Sequence, residues 1–422
     1  MPRWQSLPPA GIPAGKMTIT FSDIGQAADR ISADVVHTPM VKAHTLSRMT
    51  GADVRLKLET LQVTNAFKVR GALNKLLMLS DAERKAGVIA LSAGNHAQAV
   101  AYHATRLGIP ATIVMPEHTP WTKVERTSSF GAKVELAGET LAEAHEHLMR
   151  LIAERGLTLV HPYDDPLVMA GQGTIALEML AGEPGLDDLI IPVGGGGLIS
   201  GMAVAARHLK PGIGITGVEL ERYPAMHAAL AGEPAECGGT TLAEGIAVRD
   251  VGKLAVDICR NAVDRIELVS ESAIEKAVVT LLSEEKLLAE GAGAAGVAAL
   301  LAQPGGWAGK TVGLVICGAN IDQRMLASLI VRELARDRRV VRLRFLIEDR
   351  PGILGLISTA LGHQKANILE VHHQRNFLDV PAKGAVLEIT VETRGPSHTE
   401  EIMSFMREQP YIARVTQLQP GE

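Results

Sequence analysis

Between residues 50 and 335 the chain alternates short, continuously apolar runs with longer stretches of helical pattern. The apolar runs predict strands at residues 88–91, 111–115, 133–136, 158–160, 189–193, 213–218 and 312–316. Residues 96–107 predict a helix that ends at Gly108. Continuous apolar strands between helices are typical of parallel sheets covered on both faces. The predicted fold class is therefore α/β, in which ligands bind beyond the carboxyl ends of the strands.

The pattern changes near residue 335. A charged stretch, predicted to be a linker, contains Arg332, Arg336, Asp337, Arg338 and Arg339. Beyond it, strands are predicted at 341–347, 367–373, 384–391 and 413–417, and helices at 353–361 and 399–407. This βαββαβ order within about eighty residues is the ferredoxin-like arrangement. Apolar and basic residues alternate at 341–345, as expected of an antiparallel sheet covered on one face. The chain is therefore predicted to carry a separate C-terminal module.

Composition excludes several classes of function. The 422 residues are 46% hydrophobic and 3% aromatic, with a net charge of −5, and the mean hydropathy is +0.14. These values predict a globular protein with a large core. We expect no nucleic-acid partner, because no basic run is present. We also expect no membrane partner, because no apolar run reaches the length that spans a bilayer.

Cysteine usage and the first residues of the chain give two further expectations. Cys237, Cys259 and Cys317 show no paired spacing, which argues against a disulfide framework or a zinc site. That usage favours a reducing cytosol, so a cytoplasmic location is predicted. Residues 1–16 hold several prolines and no apolar signal core, and they are predicted to be a disordered tail.

Lys68 lies between an apolar segment and the predicted start of a helix, in the stretch 64–72. Burial of a lysine ammonium is unfavourable unless its pKa falls, and a positive helix N-terminus lowers it further. A neutral lysine is a nucleophile toward carbonyls and is the residue type that forms a Schiff base with pyridoxal phosphate (PLP). For an isolated lysine, the expectation would instead be a surface residue that opens a helix. Three other segments favour the reactive interpretation.

The first of these segments is Ser92-Ala93-Gly94-Asn95-His96, which joins a predicted strand to a helix N-terminus. Free backbone N–H groups at such a position bind carboxylates and phosphates. The Asn95 amide could also donate to a phenolate-like oxygen. An ordinary helix cap formed by Ser92 or Asn95 is the alternative.

The second segment is the glycine loop Gly194-Gly195-Gly196-Gly197 with Leu198, which follows a predicted strand and opens a helix. Without Cβ atoms, its backbone amides can crowd around a phosphate. A dinucleotide site is the alternative, because Glu219 follows about twenty residues later, where a ribose-binding acid is expected. No set of glycines here has the G-x-G-x-x-G spacing, since Gly201 comes one position late. A monophosphate is therefore favoured.

The third segment is Cys317-Gly318-Ala319-Asn320, at the carboxyl end of a predicted strand. A free cysteine is commonly a small core residue, but the turn position also favours a functional role. Glu290 precedes a helix of small residues, where helix capping is the alternative to a site role.

Together these segments resemble the fold-type II PLP-dependent enzymes, and more narrowly the threonine dehydratases (threonine ammonia-lyases). The resemblance covers nearly everything after residue 17. It rests on Phe67-Lys68-x-Arg-Gly-Ala, on Ser92-Ala-Gly-Asn-His-Ala-Gln and on the glycine loop. It implies two open, parallel-rich αβα subdomains at 17–335, the smaller one inserted at about 60–165.

The resemblance also implies a set of site residues. Lys68 is expected to join PLP covalently and to act as the catalytic base, and Asn95 to bind the ring hydroxyl. The cofactor-binding residues are expected to be Phe67, Lys68, Asn95, Gly194, Gly195, Gly196, Gly197, Leu198, Gly245, Glu290 and Cys317. The substrate-binding residues are expected to be Ser92, Ala93, Gly94, Asn95 and His96. Cys317 would face the pyridine nitrogen, and a neutral thiol there favours β-elimination over transamination.

The chain departs from the family pattern before Phe67, where Asn65-Ala66 replaces the usual Gly-Ser. The missing hydroxyl leaves the substrate preference open. Some relatives bind a metal after the strand that ends near Glu219. Here Tyr223, Ala225 and His227 supply no second acid, so no metal is predicted.

The C-terminal module at 340–420 resembles an ACT domain, an amino-acid-sensing fold. The similarity rests on Asp349-Arg350-Pro351-Gly352-Ile353-Leu354 and on Asn367-Ile368. The turn leaves backbone amides at the next helix start, which can receive a carboxylate. An amino-acid effector, and so allosteric control, is expected there, with a pure dimerisation domain as the alternative. A homo-oligomer, either a dimer or a tetramer, is also expected.

The reaction implied is loss of water from L-threonine to give 2-oxobutyrate and ammonia, with L-serine as a second substrate. A role in isoleucine biosynthesis is expected. The alternatives that stay open are a serine or 3-hydroxyaspartate dehydratase, a serine racemase, a non-catalytic amino-acid sensor and a nicotinamide dehydrogenase. Lys68, Asn95 and the glycine loop, retained together, argue against a non-catalytic protein.

Overall fold

The computed structural model describes residues 19–375 and 384–418. The predicted tail at 1–16 lies outside these residues. The chain divides into two compact units, of which the first ends at Ile321 and the second begins at Asp322. Within the described residues, no helix combines the length and the apolarity needed to cross a bilayer.

The first unit contains two sheets. Its strands are β1 (Met40–Lys42), β2 (Asp53–Leu58), β3 (Val88–Leu91), β4 (Ala111–Met115), β5 (Lys133–Leu136), β6 (Thr158–Leu159), β7 (Asp188–Pro192), β8 (Gly214–Leu220), β9 (Arg265–Val269) and β10 (Thr311–Ile316). In the described part of the chain, the larger sheet has six strands in the order β1-β2-β10-β7-β8-β9. Only β1 pairs antiparallel in this sheet. The smaller sheet, β5-β4-β3-β6, is parallel throughout.

Helices cover both sheets. Those of the first unit are α1 (Phe21–Ile31), α2 (His44–Thr50), α3 (Lys68–Leu77), α4 (Asp81–Ala86), α5 (Asn95–Arg106), α6 (Trp121–Ser129), α7 (Leu141–Arg155), α8 (Pro166–Gly182), α9 (Gly197–Leu209), α10 (Ala225–Ala231), α11 (Lys253–Ala262), α12 (Glu271–Glu284) and α13 (Gly291–Ala302). Short 3-10 turns lie at Glu59–Leu61 and Glu244–Ile246. The strands of the smaller sheet fall between β2 and β7 in the chain, so this sheet is inserted within the larger one.

Small residues allow the helices to pack closely in this unit. In α13, every residue from Gly291 to Leu300 is buried. A Cβ atom on Gly171 of α8 would lie 2.6 Å from the Cα atom of Gly71 in α3. The abundance of glycine and alanine therefore reflects close contacts between helices and between helices and sheet.

The second unit begins with α14 (Gln323–Arg336). Its other elements are β11 (Val340–Glu348), α15 (Ile353–His363), β12 (Asn367–Gln374), β13 (Gly384–Glu392), α16 (Pro396–Arg407) and β14 (Ile412–Leu418). Among the described residues, the four strands form an antiparallel sheet in the order β12-β13-β11-β14. The predicted βαββαβ order is confirmed.

The α/β fold class is confirmed, and β3, β4 and β5 have the predicted bounds. The prediction of a charged linker was wrong for Arg332 and Arg336, because both residues lie inside α14. The Asp322 side chain accepts hydrogen bonds from the backbone N–H groups of Arg324 and Met325, so it caps this helix. The helix therefore starts well before the charged stretch and includes its first two arginines.

Candidate active site

Lys68 is the first residue of α3 and lies beside the end of β10. The Phe67 N–H donates a hydrogen bond to the Cys317 carbonyl at 3.0 Å. Ala66 and Gly318 form an isolated antiparallel bridge. These backbone contacts hold the start of α3 against the carboxyl end of a central strand.

The Lys68 side chain is partly buried. Its Nζ donates to the Pro162 carbonyl at 2.7 Å and lies 5.1 Å from the centre of the Phe67 ring. Burial lowers the pKa of Lys68 to about 8, although Cys317 and Glu290 nearby oppose the shift. At pH 7 roughly a tenth of such an amine is neutral, which is far more than for an exposed lysine.

Asn95, Glu290 and Asn320 form a chain of side-chain hydrogen bonds. The Asn95 amide nitrogen donates to Glu290 Oε1 at 2.7 Å, and its carbonyl oxygen accepts from Asn320 Nδ2 at 2.5 Å. Glu290 precedes α13 but makes no side-chain cap, so capping does not explain it. Burial raises the pKa of Glu290 to about 7, with the Asn95 bond opposing. The carboxyl therefore titrates near neutral pH.

The glycine loop lies between β7 and α9, as predicted. Gly196 has φ +95°, a left-handed conformation that favours glycine. A Cβ atom on Gly195 would lie 2.3 Å from the Tyr163 ring, so a side chain has no room there. No side chain caps α9, whose first residue is Gly197. Its first N–H groups thus lack an intrahelical or capping acceptor and can bind an anion.

Gly245 lies between the glycine loop and Glu290. A Cβ atom on Gly194 would lie 3.0 Å from the Gly245 carbonyl oxygen, and a Cβ atom on Gly245 would lie 3.6 Å from Glu290 Oε1. Leu198, after the loop, is buried in the core of the first unit. The structure therefore brings together residues that lie far apart in the sequence.

Cys317 is buried, with 4% of its surface exposed. Its Sγ donates to the Ala292 carbonyl at 3.6 Å. Burial raises the pKa of the thiol well above its ordinary range. Cys317 is therefore a neutral thiol at physiological pH.

In the loop of residues 92–96, Ser92 Oγ accepts a hydrogen bond from the Gly94 N–H at 3.2 Å. Gly94 precedes α5 and supplies no side-chain cap, and Ala93 carries only a methyl group. The His96 ring is buried and bonds the Val160 carbonyl through Nε2 at 2.8 Å. Burial and the charge of Lys68 lower the pKa of His96 to about 3, so its ring is neutral.

Three residues near the site were given no role from the sequence: Gly318 and Asn320, which lie in the segment 317–320 already singled out, and Tyr163. Asn320 binds Asn95, and Tyr163 packs on Gly195. A Cβ atom on Gly318 would lie 2.4 Å from Glu290 Oε1. Gly318 and Asn320 follow a strand end, which was a usable signal. Tyr163 has no comparable signal, because it lies in an irregular segment.

Glu219, at the carboxyl end of β8, accepts hydrogen bonds from the N–H groups of Met226 at 2.7 Å and His227 at 2.8 Å. Burial raises its pKa to about 7. Within residues 19–375 and 384–418, no group of three or more His, Cys, Asp or Glu side chains has a metal-binding arrangement.

The residues present fit PLP. Lys68 offers an amine of lowered pKa to an aldehyde, and the glycine loop offers uncapped amides and a surface without Cβ atoms to a phosphate.

Comparison with known proteins agrees with this fit. Residues 31–318 match the family of pyridoxal-phosphate dependent enzymes, and residues 336–416 match the ACT domain. The chain therefore belongs to the pyridoxal-phosphate dependent enzyme family and carries a C-terminal ACT domain. The predicted class of enzyme and its cofactor are confirmed.

Individual relatives show which enzymes of this family the chain is similar to. The chain is 43% identical to the L-threonine ammonia-lyase of Thermotoga maritima, over 94% of this chain and 99% of the relative. The processed form of threonine deaminase isoform 2 from Solanum lycopersicum matches with a TM-score of 0.68 and 33% identity, over 79% of this chain and 94% of that structure. Maize serine racemase matches with a TM-score of 0.70 and 32% identity, over 76% of this chain and 99% of that structure.

Proposed function

We propose that this chain is a PLP-dependent ammonia-lyase that converts L-threonine to 2-oxobutyrate and ammonia, with L-serine as a second substrate. The observation that carries the proposal is the amine of Lys68, which has a lowered pKa and lies at the start of α3. The glycine loop before α9, a helix without a side-chain cap, supports it. The identity to the Thermotoga maritima L-threonine ammonia-lyase, over 94% of the chain, supports the choice of substrate.

When bound, PLP withdraws electrons from the substrate Cα and so makes its proton acidic. The uncapped amides of the glycine loop, with Leu198, hold the phosphate. The Asn95 amide would donate to the ring hydroxyl, and Gly245 and Glu290 would line the ring. Phe67 packs beside it.

Lys68 would hold the cofactor, and its amine would then serve as the base that removes the Cα proton of the substrate. Within the loop of residues 92–96, the N–H groups of Asn95 and His96 would bind the substrate carboxylate, because the N-terminus of α5 has no side-chain cap. The N–H groups of Ser92 and Gly94 already donate to the Val114 carbonyl and to Ser92 Oγ. The hydroxyl leaves from Cβ with a proton as water. The unsaturated amine that is released tautomerises and takes up water, giving 2-oxobutyrate and ammonia.

Cys317 favours elimination over other outcomes. Because its thiol stays protonated and neutral, it offers the pyridine nitrogen only a weak hydrogen bond and no charge. Cys317 would therefore leave the ring nitrogen largely unprotonated, so that negative charge at Cα would be less stabilised. Rapid loss of the β-hydroxyl is therefore favoured over transamination.

Serine racemisation is the second candidate, because the fold matches maize serine racemase with a TM-score of 0.70. Racemisation needs a second acid–base group to return a proton on the other face of Cα. In the loop of residues 92–96, Ala93 carries only a methyl group, and the His96 ring is buried and bonded to the Val160 carbonyl. These features favour elimination.

The test is turnover on L-threonine, L-serine and 3-hydroxyaspartate, with chiral analysis of recovered serine. We expect the highest kcat/KM on L-threonine, lower turnover on L-serine and little D-serine. Faster formation of D-serine than of pyruvate, or a preference for 3-hydroxyaspartate, would contradict the proposal.

We also propose that the ACT domain binds an amino-acid effector and that the enzyme is a cytoplasmic homo-oligomer. The start of α15 supports an effector site, because its N-cap, Gly352, has φ +83° and supplies no side-chain cap. Asp349 beside it accepts from Arg375 Nε at 2.9 Å. Calorimetry of the full chain with isoleucine and valine tests this, and we expect saturable binding of at least one. No binding of either, at millimolar concentration, would contradict the effector proposal.

A further inference from the structure

We propose that Arg70 is a positioning residue that fixes the rotation of α3 and so aims the Lys68 amine into the site. It acts through a cluster of four charged residues behind the helix, which we call the charge cluster: Lys57, Glu59, Arg70 and Glu178. The inference rests on the proposed role of Lys68, and none of these four residues belongs to the site described above.

Arg70 makes a hydrogen bond with every nitrogen of its guanidinium. Nε and Nη2 donate to the two carboxylate oxygens of Glu59, both at 2.8 Å. Nη1 and Nη2 donate to the two oxygens of Glu178, at 2.6 and 2.9 Å. Nη1 also donates to Thr174 Oγ1 at 3.1 Å, and Nη2 to the Val36 carbonyl at 3.3 Å. Such paired contacts of a planar fork fix orientation as well as distance.

The charge cluster is balanced and mostly buried, with Glu178 the most exposed member at 15%. Glu59 and Arg70 are fully buried, and Lys57 is 1% exposed. Lys57 Nζ donates to Glu178 Oε2 at 2.5 Å and to the Thr38 carbonyl at 2.5 Å. The cluster thus contains two cations and two carboxylates. Its members come from β2, the 3-10 turn after β2, α3 and α8, so it ties four segments together.

Burial of these charges has a large desolvation penalty, which contacts that hold a helix need not have. Burial alone would raise the pKa of Glu59, but the charge and hydrogen bonds of Arg70 hold it below its ordinary value. Apolar side chains of similar volume often stabilise a fold equally well. What the ionic contacts add is direction, because rotation of α3 by a fraction of a turn would break both carboxylate pairs.

Helix geometry connects this direction to the reacting amine. Successive residues of an α-helix are about 100° apart, so Arg70 lies about 200° around the axis from Lys68. The two side chains therefore leave opposite faces of the first turn. Arg70 fastens the back face to the charge cluster, and Lys68 on the front face reaches the Pro162 carbonyl.

Close packing next to Arg70 limits translation of the helix as well. The Gly71 N–H donates to the Gln172 side-chain oxygen at 3.1 Å. A Cβ atom on Gly71 would lie 2.6 Å from the Val168 carbonyl oxygen. The helix is thus seated on α8 at Gly71 and prevented from turning at Arg70.

Two variants test the proposal in the full-length holoenzyme. Arg70→Lys keeps the positive charge but loses the planar guanidinium with its paired hydrogen-bond donors. The double variant Arg70→Met with Glu59→Gln leaves the Lys57–Glu178 pair, so the buried charge stays balanced. Lys75→Met is the matched control, because Lys75 lies on the same helix and pairs with Asp165 at 2.7 Å, away from the charge cluster.

We expect both Arg70 variants to fold and to lose kcat by ~10- to 100-fold, with KM for threonine changed much less, because misplacement of a reacting group by about 1 Å has effects of this size. A second readout does not depend on turnover. The pH midpoint for capture of PLP by the cofactor-free protein should rise, because rotation of α3 would leave the Lys68 amine less desolvated. The Lys75→Met control should keep both the kcat and the pH midpoint of the parent protein.

Three results would overturn the proposal. The first is a folded double variant with the kcat and capture midpoint of the parent protein. The second is a loss of activity that appears equally in the Lys75→Met control. The third is failure of both Arg70 variants to fold, since the charge cluster would then maintain the fold rather than aim the amine. If the parent protein captures PLP but does not act on threonine, the proposed function fails while the capture midpoint still tests Arg70.

Discussion

Capture of PLP by the cofactor-free protein should follow the titration of Lys68. Burial of the amine lowers its pKa to about 8, against the opposing charge of Glu290 nearby. Desolvation disfavours the cation, so the neutral amine becomes available at lower pH than in an exposed lysine. The rate of capture should therefore rise as the pH increases through about 8 and then level off.

The size of this effect follows from the fraction of neutral amine. A pKa of about 8 gives roughly 9% neutral amine at pH 7 and roughly 91% at pH 9, so capture should accelerate about tenfold over this interval. An ordinary lysine would give an increase of about a hundredfold over the same interval, with no plateau below pH 10. The cofactor phosphate does not add to the trend, because its second pKa is about 6.

The assay is stopped-flow absorbance after mixing cofactor-free protein with PLP at a fixed concentration, from pH 6.5 to pH 10. The Lys68→Ala variant is the control for capture by other lysines, and its signal is subtracted. A rate that keeps rising to pH 10, or a signal unchanged in Lys68→Ala, would refute the reasoning.

Three substitutions give further predictions. Gly195→Ala should weaken PLP binding by ~5- to 100-fold, since its Cβ atom would lie 2.3 Å from the Tyr163 ring; equilibrium titration checks this, with Gly212→Ala, where nothing lies within 4 Å, as the unaffected control. Cys317→Asp should shift products from 2-oxobutyrate toward transamination, measured by chromatography against Cys317→Ser, and unchanged product ratios would count against the neutral-thiol argument. Lys68→Met should stabilise the cofactor-free protein by ~2 kcal/mol at pH 7, as the lowered pKa costs about 3 kcal/mol and the lost hydrogen bond returns about 1. This gain should be present in thermal unfolding below pH 8 and should shrink toward pH 10.5, and a lower midpoint at pH 7 would contradict it.

Local sequence features predicted where several segments of the candidate site lie in the fold. The glycine loop, residues 92–96 and Cys317 each follow a strand, and parallel strands bring their carboxyl ends to one edge of a sheet. Lys68 was predicted at a helix start, and α3 begins there. Such signals lie within a few residues of the element that they mark, so they can be read without knowledge of the fold.

Contacts between distant residues could not be predicted in this way. Strand β2 was missed because it contains Arg55 and Lys57, and a buried lysine is unexpected in a strand without its partner. That partner, Glu178, lies on a helix more than a hundred residues later. Asn320 and Asn95 are separated even further in the chain and meet only in the folded structure. The polar network of the site is therefore a property of the tertiary fold.

The ends of helices were also difficult to predict from the sequence. The charged residues after Arg332 favoured a linker, yet the Asp322 cap begins a helix that continues to Arg336. Charge alone does not end a helix, because arginine has a high helix propensity.

The most direct test of the account is to find where PLP is attached. The holoenzyme is reduced with borohydride and digested, and the modified peptide is identified by mass spectrometry. We predict one phosphopyridoxyl group per chain, on Lys68, and none on Lys57 or Lys75. A label on another lysine, or turnover of threonine by a protein that carries no label at Lys68, would contradict the central claim.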